Sequence, residues 1–156
     1  MDFEVRGFSV GLSADLNPVR GGLDHLIQGH DRRAEEFFSD CPPGCDPAAS
    51  HRLGLFLAHR LSGGAEVSFG FPAAEDAFLG LMILGPWARG AGLGKAFLVR
   101  CEGLSRSKGA PRLYLAVRDA NPRGRAFWER EGFVPTGVRR HDSDHDQWIE
   151  RLVKAL

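Results

Sequence analysis

Leu81-Met82-Ile83-Leu84-Gly85-Pro86-Trp87-Ala88-Arg89-Gly90-Ala91-Gly92-Leu93-Gly94-Lys95 decides how this chain reads. It is apolar up to Leu84, breaks at Gly85-Pro86, carries glycine at every second position of the turn, and opens an amphipathic helix near Leu93. A strand, a glycine-rich turn and a helix start together form an anion cradle. Glycine lets main-chain N–H groups approach the anion, and the helix N-terminus adds orphan donors and the positive end of a dipole. In a plain connection, the three alternating glycines would be an unneeded entropic penalty. The stretch therefore reads as a backbone site for the pyrophosphate of a coenzyme.

Two common phosphate signatures fail on spacing. A dinucleotide fingerprint needs G-x-G-x-x-G, whereas here the glycines are Gly90, Gly92 and Gly94. A P-loop needs Ser or Thr after Gly94-Lys95 and glycine at position 89; the chain has Ala96 and Arg89.

Upstream, Phe3 to Ser13 alternates loosely and predicts a first strand. Asn17-Pro18 opens a helical region from Val19 to about Phe38, interrupted at Gly29-His30-Asp31, which predicts two helices. Arg52 to Arg60 predicts a strand ending in a Ser62-Gly63-Gly64 turn, and Ala65 to Phe71 the second strand of that hairpin. Ala77 to Leu84 is apolar on both faces, as a central strand is. These three form an antiparallel meander leading into the glycine turn.

Downstream, Leu93, Phe97, Cys101 and Leu104 make one helical stripe with Leu98 beside it, which Arg100, Glu102, Arg106 and Lys108 largely avoid. Gly109 and Pro111 end that helix. Arg112 to Val117 predicts a strand, and Asn121-Pro122 a helix to about Glu131 stopped by Gly132. Phe133 to Val138 and Gln147 to Val153 predict two last strands joined by a polar loop, His141 to Asp146.

The composition narrows the partners. Lys+Arg and Asp+Glu are both 20, so the net charge of zero points to neither nucleic acid nor a membrane surface. The length of 156 residues predicts one domain, 1–156, with 43% apolar content enough for a core. The charged N-terminus lacks a signal-peptide apolar region, so a cytoplasmic protein is expected. Cys41, Cys45 and Cys101 are an odd set for a disulfide framework. Cys41 and Cys45 with Asp46 and His51 match no common zinc spacing, so no metal is expected.

The quoted turn resembles the GNAT acetyltransferase superfamily, whose pattern is an apolar strand, a Pro, then [RQ]-x-x-G-x-[GA] opening a helix. A second element agrees: Asn121, the pair Phe127-Trp128, and Gly132-Phe133 four residues past the aromatic. The resemblance runs from about Gly54 to Arg140. It implies an α/β (α+β) fold with a mixed, mostly antiparallel sheet of about seven strands flanked by about four helices.

It further implies that acetyl-CoA lies as cosubstrate between the strand ending at Leu84 and the strand ending at Val117. Backbone groups of Arg89, Gly90, Ala91, Gly92, Leu93, Gly94 and Lys95 would hold the pyrophosphate. Ile83 and Leu84 would pair with pantetheine as an added strand. The Leu84 N–H would polarise the thioester oxygen. Asn121 would reach the pantetheine arm, with Phe127 and Trp128 near the thiol. The implied reaction is direct acetyl transfer to a primary amine of a small molecule or peptide, and a homodimer is an admissible assembly.

Trp128 occupies the position of the family's usual acid, a Tyr, and an indole N–H cannot protonate a thiolate at neutral pH. This motivates an alternative, a non-catalytic acyl-CoA binding or sensing domain. A phosphate-binding domain unrelated to CoA is a third reading. For the general base, Glu66 and His59 on the hairpin, and Glu75 or Asp76 before the central strand, are candidates that no motif selects. His25, His30, Asp31, Glu35 and Glu36 in the first helical region are candidates for the acceptor side.

Overall fold

The computed structural model describes residues 2–7 and 42–156. Its strands are β1 (Glu4–Gly7), β2 (His51–Leu57), β3 (Arg60–Phe69), β4 (Ala77–Leu84), β5 (Arg112–Arg118), β6 (Val134–Asp142) and β7 (Gln147–Ala155). They form one seven-stranded sheet in the order β1-β2-β3-β4-β5-β7-β6. Every neighbouring pair is antiparallel except β4 with β5. Two α-helices are described, α1 (Leu93–Ser107) and α2 (Pro122–Arg130), where about four were expected; the two expected between Val19 and Phe38 lie outside the described residues. None of the described helices is long and apolar enough to cross a membrane.

The bounds of β4, the turn and α1 follow the local signals. Gly85-Pro86 stops the strand, a single 3-10 turn spans Pro86–Ala88, and Gly92 at φ +76° caps α1. Helix α1 packs Leu93, Phe97, Leu98 and Cys101 into the core against Leu55, Val67, Leu79, Leu113 and Leu115. Burial pushes the Cys101 thiol up to about 12, so it stays protonated and acts as a small apolar residue. Asn121 caps α2 as its position before Pro122 predicts: its Oδ1 accepts from the Gly124 N–H at 2.9 Å.

The β2–β3 hairpin corrects the sequence reading. Its turn is Ala58-His59, both at positive φ (47° and 68°), while Ser62, Gly63 and Gly64 lie inside β3. At Gly63 the cause is crowding and not a bend. A Cβ at Gly63 would stand 2.8 Å from Leu84 Cδ2 and 2.9 Å from the Ile83 carbonyl oxygen of β4. Gly63→Ala is therefore expected to destabilise the fold by about 1–3 kcal/mol, the usual range for overpacking. Chemical denaturation checks this, and an unchanged midpoint would refute the close fit of β3 on β4.

Two further differences arise from contacts distant in sequence. β6 runs on to Asp142, because His141 pairs with Trp148 and Asp142 with Gln147, so the loop shortens to Ser143–Asp146. Glu102, expected on the solvent side of α1, is buried and accepts from Lys154 Nζ of β7 at 2.6 Å. Of the first predicted strand, Glu4–Gly7 forms β1, Phe3 precedes it, and residues 8–13 lie outside the described residues.

Candidate functional site

β4 and β5 run parallel but pair only at Ala77↔Leu113 and Phe78↔Tyr114. Beyond Phe78 they separate, and a cleft of about 1610 Å³ opens between Leu79–Leu84 and Leu115–Arg118. A bulge helps to open it: Glu66 faces Leu81 and Val67 faces Leu79, leaving Gly80 as the extra residue of β4.

The end of β4 presents backbone to this gap. The Gly85 N–H donates to the Ser62 carbonyl of β3 at 2.8 Å. Alternation along an antiparallel pair then directs the Leu84 N–H and C=O away from β3, into the gap, and returns those of Ile83 to β3. Of the two residues expected to pair with an extended ligand, Leu84 is the one so oriented. Arg89 holds this end in place, its Nε and Nη2 both donating to the Leu84 carbonyl at 3.2 Å.

On the side of α1 and α2, Arg89, Gly90, Gly92, Gly94 and Lys95 line the cleft. Leu93 is buried in the core and can offer only backbone, and Ala91 is exposed at the turn without lining the cleft. A Cβ at Gly90 or Gly92 would meet no protein atom within 4 Å, so the space above the turn is open. Arg123 and Arg130 of α2 join Lys95 at the rim, which makes this side cationic. Asn121, Phe127 and Trp128 line it too. The Asn121 amide oxygen is taken by its own helix, which leaves the amide NH₂ as its free donor. Gly124 makes room for that amide, since a Cβ there would collide with it.

Trp128 packs edge-on between Phe127 and Phe133, with ring centroids 4.9 and 5.7 Å away. Trp87, whose role the sequence leaves open, belongs to the scaffold. Its Nε1 donates to Ser62 Oγ at 2.9 Å, and the Arg60 guanidinium lies 3.7 Å above its ring.

The base candidates separate clearly. Glu66 lines the cleft, is 4% exposed, and lies against Gly80; its Oε1 accepts from Ser68 Oγ at 2.9 Å. His59 sits on the exposed tip of the hairpin and is not among the cleft-lining residues. Asp76 is buried but engaged with Arg112 Nε at 3.0 Å and the Ala73 N–H, and Glu75 also pairs with Arg112. His25, His30, Asp31, Glu35 and Glu36 lie outside the described residues. The polar tip is bound to itself, with His141 Nε2 3.0 Å from Asp146 and His145 Nδ1 2.9 Å from Asp142. The sequence reading missed Arg118, Arg140 and Arg151, which line the opposite side of the cleft. Their alternate spacing on paired strands is the only local signal, and it gains meaning only once the register is known.

The parallel strands parted beside a glycine-rich turn and a helix N-terminus define a class, a mixed α/β domain with an open cleft along the end of its central strand. Residues 24–133 match the profile of the acetyltransferase (GNAT) family, and the chain belongs to that family. Over 87 residues, 54% of its length, it is 37% identical to a mycothiol acetyltransferase of Beutenbergia cavernae. The chain spans only 29% of that relative's length.

Among solved structures, the ribosomal-protein-S18-alanine N-acetyltransferase of Escherichia coli superposes with a TM-score of 0.76 at 16% identity, covering 99% of this chain and 94% of that one. PaiA N-acetyltransferase of Thermoplasma acidophilum, solved with coenzyme A, also gives 0.76, at 20% identity over 100% of both chains. At such identities these two show the shared fold.

Proposed function

We propose that this chain transfers an acetyl group from acetyl-CoA directly to a primary amine. The observation that carries the reading is the parted β4–β5 pair with the Leu84 N–H turned into the gap, beside a glycine turn that opens a helix. Family membership supports the donor, as does the coenzyme A complex of the Thermoplasma relative.

The arrangement divides the chemistry between two faces. On the α1–α2 face, backbone N–H groups from Arg89 to Lys95 hold the pyrophosphate, reinforced by Lys95 and Arg123. The pantetheine arm follows the Leu84 edge, as an added strand would, with the Asn121 amide donating to it. The Leu84 N–H then meets the thioester oxygen, where one preorganised donor lowers the barrier by about 3 kcal/mol. The amine enters from the opposite face and attacks through the gap. Its nitrogen forms the new bond to the carbonyl carbon, the C–S bond breaks, and the amine proton passes to Glu66, directly or through water.

Trp128 supports a second reading. By the family resemblance it stands at the position of the usual Tyr acid, and its indole offers no such proton. In the catalytic reading water protonates the departing thiolate. In the other, the domain binds acyl-CoA without turning it over.

Titration calorimetry with acetyl-CoA and a thiol-release assay over a panel of amines separate the readings. Binding accompanied by amine-dependent release of CoA is expected. Binding without release from any amine would favour the sensing domain. No binding would sink both.

A further inference from the structure

The face of the sheet opposite α1 and α2 carries a row of arginines. Register places Arg118 of β5, Ile149 of β7 and Arg140 of β6 side by side, and Arg151 opposite Ala116 in the next row. Directly paired residues share a face, so Arg118, Arg140 and Arg151 project together. The helices lie on the other face, where Glu150 meets Arg125 of α2 and Lys154 meets Glu102 of α1. All three arginines line the cleft, and so does Glu66, which stands across the gap from them on the same face.

Their charges are unequally compensated. Arg118 donates to Asp142 at 2.8 Å, and that carboxylate also meets His145. Arg151 lies 4.9 Å over the Phe71 ring, a contact that leaves its charge uncancelled. Among the described residues no carboxylate lies within ion-pair distance of Arg140 or Arg151. Arg140 and Arg151 stand diagonally across β6 and β7, roughly 7–8 Å apart at the backbone, so two flexible guanidinium groups can converge on one anion.

Resting on the acetyl-transfer reading above, we propose that the acceptor is an amine that also carries an oxyanion, a carboxylate or a phosphate ester. Arg140 and Arg151 hold the oxyanion while the amino group is directed to Glu66 and the gap. A guanidinium fork suits either oxyanion, and a cationic or polycationic amine would be repelled.

The test measures thiol release from acetyl-CoA with 4-aminobutyrate, phosphoethanolamine, propylamine and putrescine. One or both of the anionic amines should exceed propylamine in kcat/KM by about tenfold or more, as expected for a charge-assisted pair. The better of the two identifies the oxyanion. In the R140Q/R151Q variant, KM for that amine should rise by about tenfold, with no rise in KM for propylamine and Kd for acetyl-CoA unchanged. The unchanged Kd also reports that the variant is folded. Equal or better turnover of propylamine or putrescine would overturn the assignment while leaving acetyl transfer intact, and so would an equal rise of KM for every amine. Absence of acetyl-CoA binding, or of release from every amine, would overturn the transfer reading and this assignment with it.

Discussion

Glu66→Gln should lower kcat by about a hundredfold or more while leaving the Kd of acetyl-CoA unchanged. An alkylamine with the basicity of a lysine side chain, pKa about 10.4, is neutral in roughly one molecule in 2500 at pH 7. Its attack on a thioester therefore depends on a group that takes the proton. Of the acidic and histidine candidates among the described residues, Glu66 alone both lines the cleft and faces the gap. Gln keeps the shape, and its carbonyl can still accept from Ser68 Oγ, so the contact seen at 2.9 Å survives. Loss of rate with an unchanged denaturation midpoint would place the effect in the reaction. An unchanged kcat would remove Glu66 from the mechanism and direct attention to the acceptor candidates outside the described residues.

The second large effect concerns the donor. The double replacement Gly90→Ala and Gly92→Ala should raise the Kd of acetyl-CoA by roughly tenfold or more. Both glycines hold positive φ, +81° and +76°, where an L-residue costs about 1–2 kcal/mol. Because an added Cβ would touch no protein atom at either position, the penalty is conformational. Relaxation of the turn would swing the amides away from the phosphate. If the turn instead kept its shape, the new methyl groups would project into the open space where the pyrophosphate is proposed to lie, and the fold would lose stability. Calorimetry and denaturation together distinguish these outcomes. A folded variant with unchanged affinity would contradict the cradle.

The parts of this protein legible in the sequence are those whose causes lie within a few residues of each other. Gly85-Pro86 ends β4, the alternating glycines shape the turn, the apolar stripe bounds α1, and Asn121 caps α2. The same local signals carried the family resemblance and, through it, the donor side of the cleft. Where two causes leave one local trace, the sequence misleads. Gly63 and Gly64 read as a turn, yet both lie inside β3, and the missing side chain of Gly63 answers the closeness of Leu84 and Ile83, some twenty positions away.

Four things were decided only by tertiary structure. Lys154, far along the chain, drew Glu102 into the interior. Pairing of β6 with β7 carried the strand past His141. Folding of the Pro86–Ala88 turn onto β3 made Trp87 a brace. The register of three strands gathered Arg118, Arg140 and Arg151 on one face. The proposed donor site is written locally because consecutive backbone groups of one turn would hold a phosphate. The proposed acceptor side is assembled from strands remote in sequence, so its chemistry emerges only when the sheet has formed.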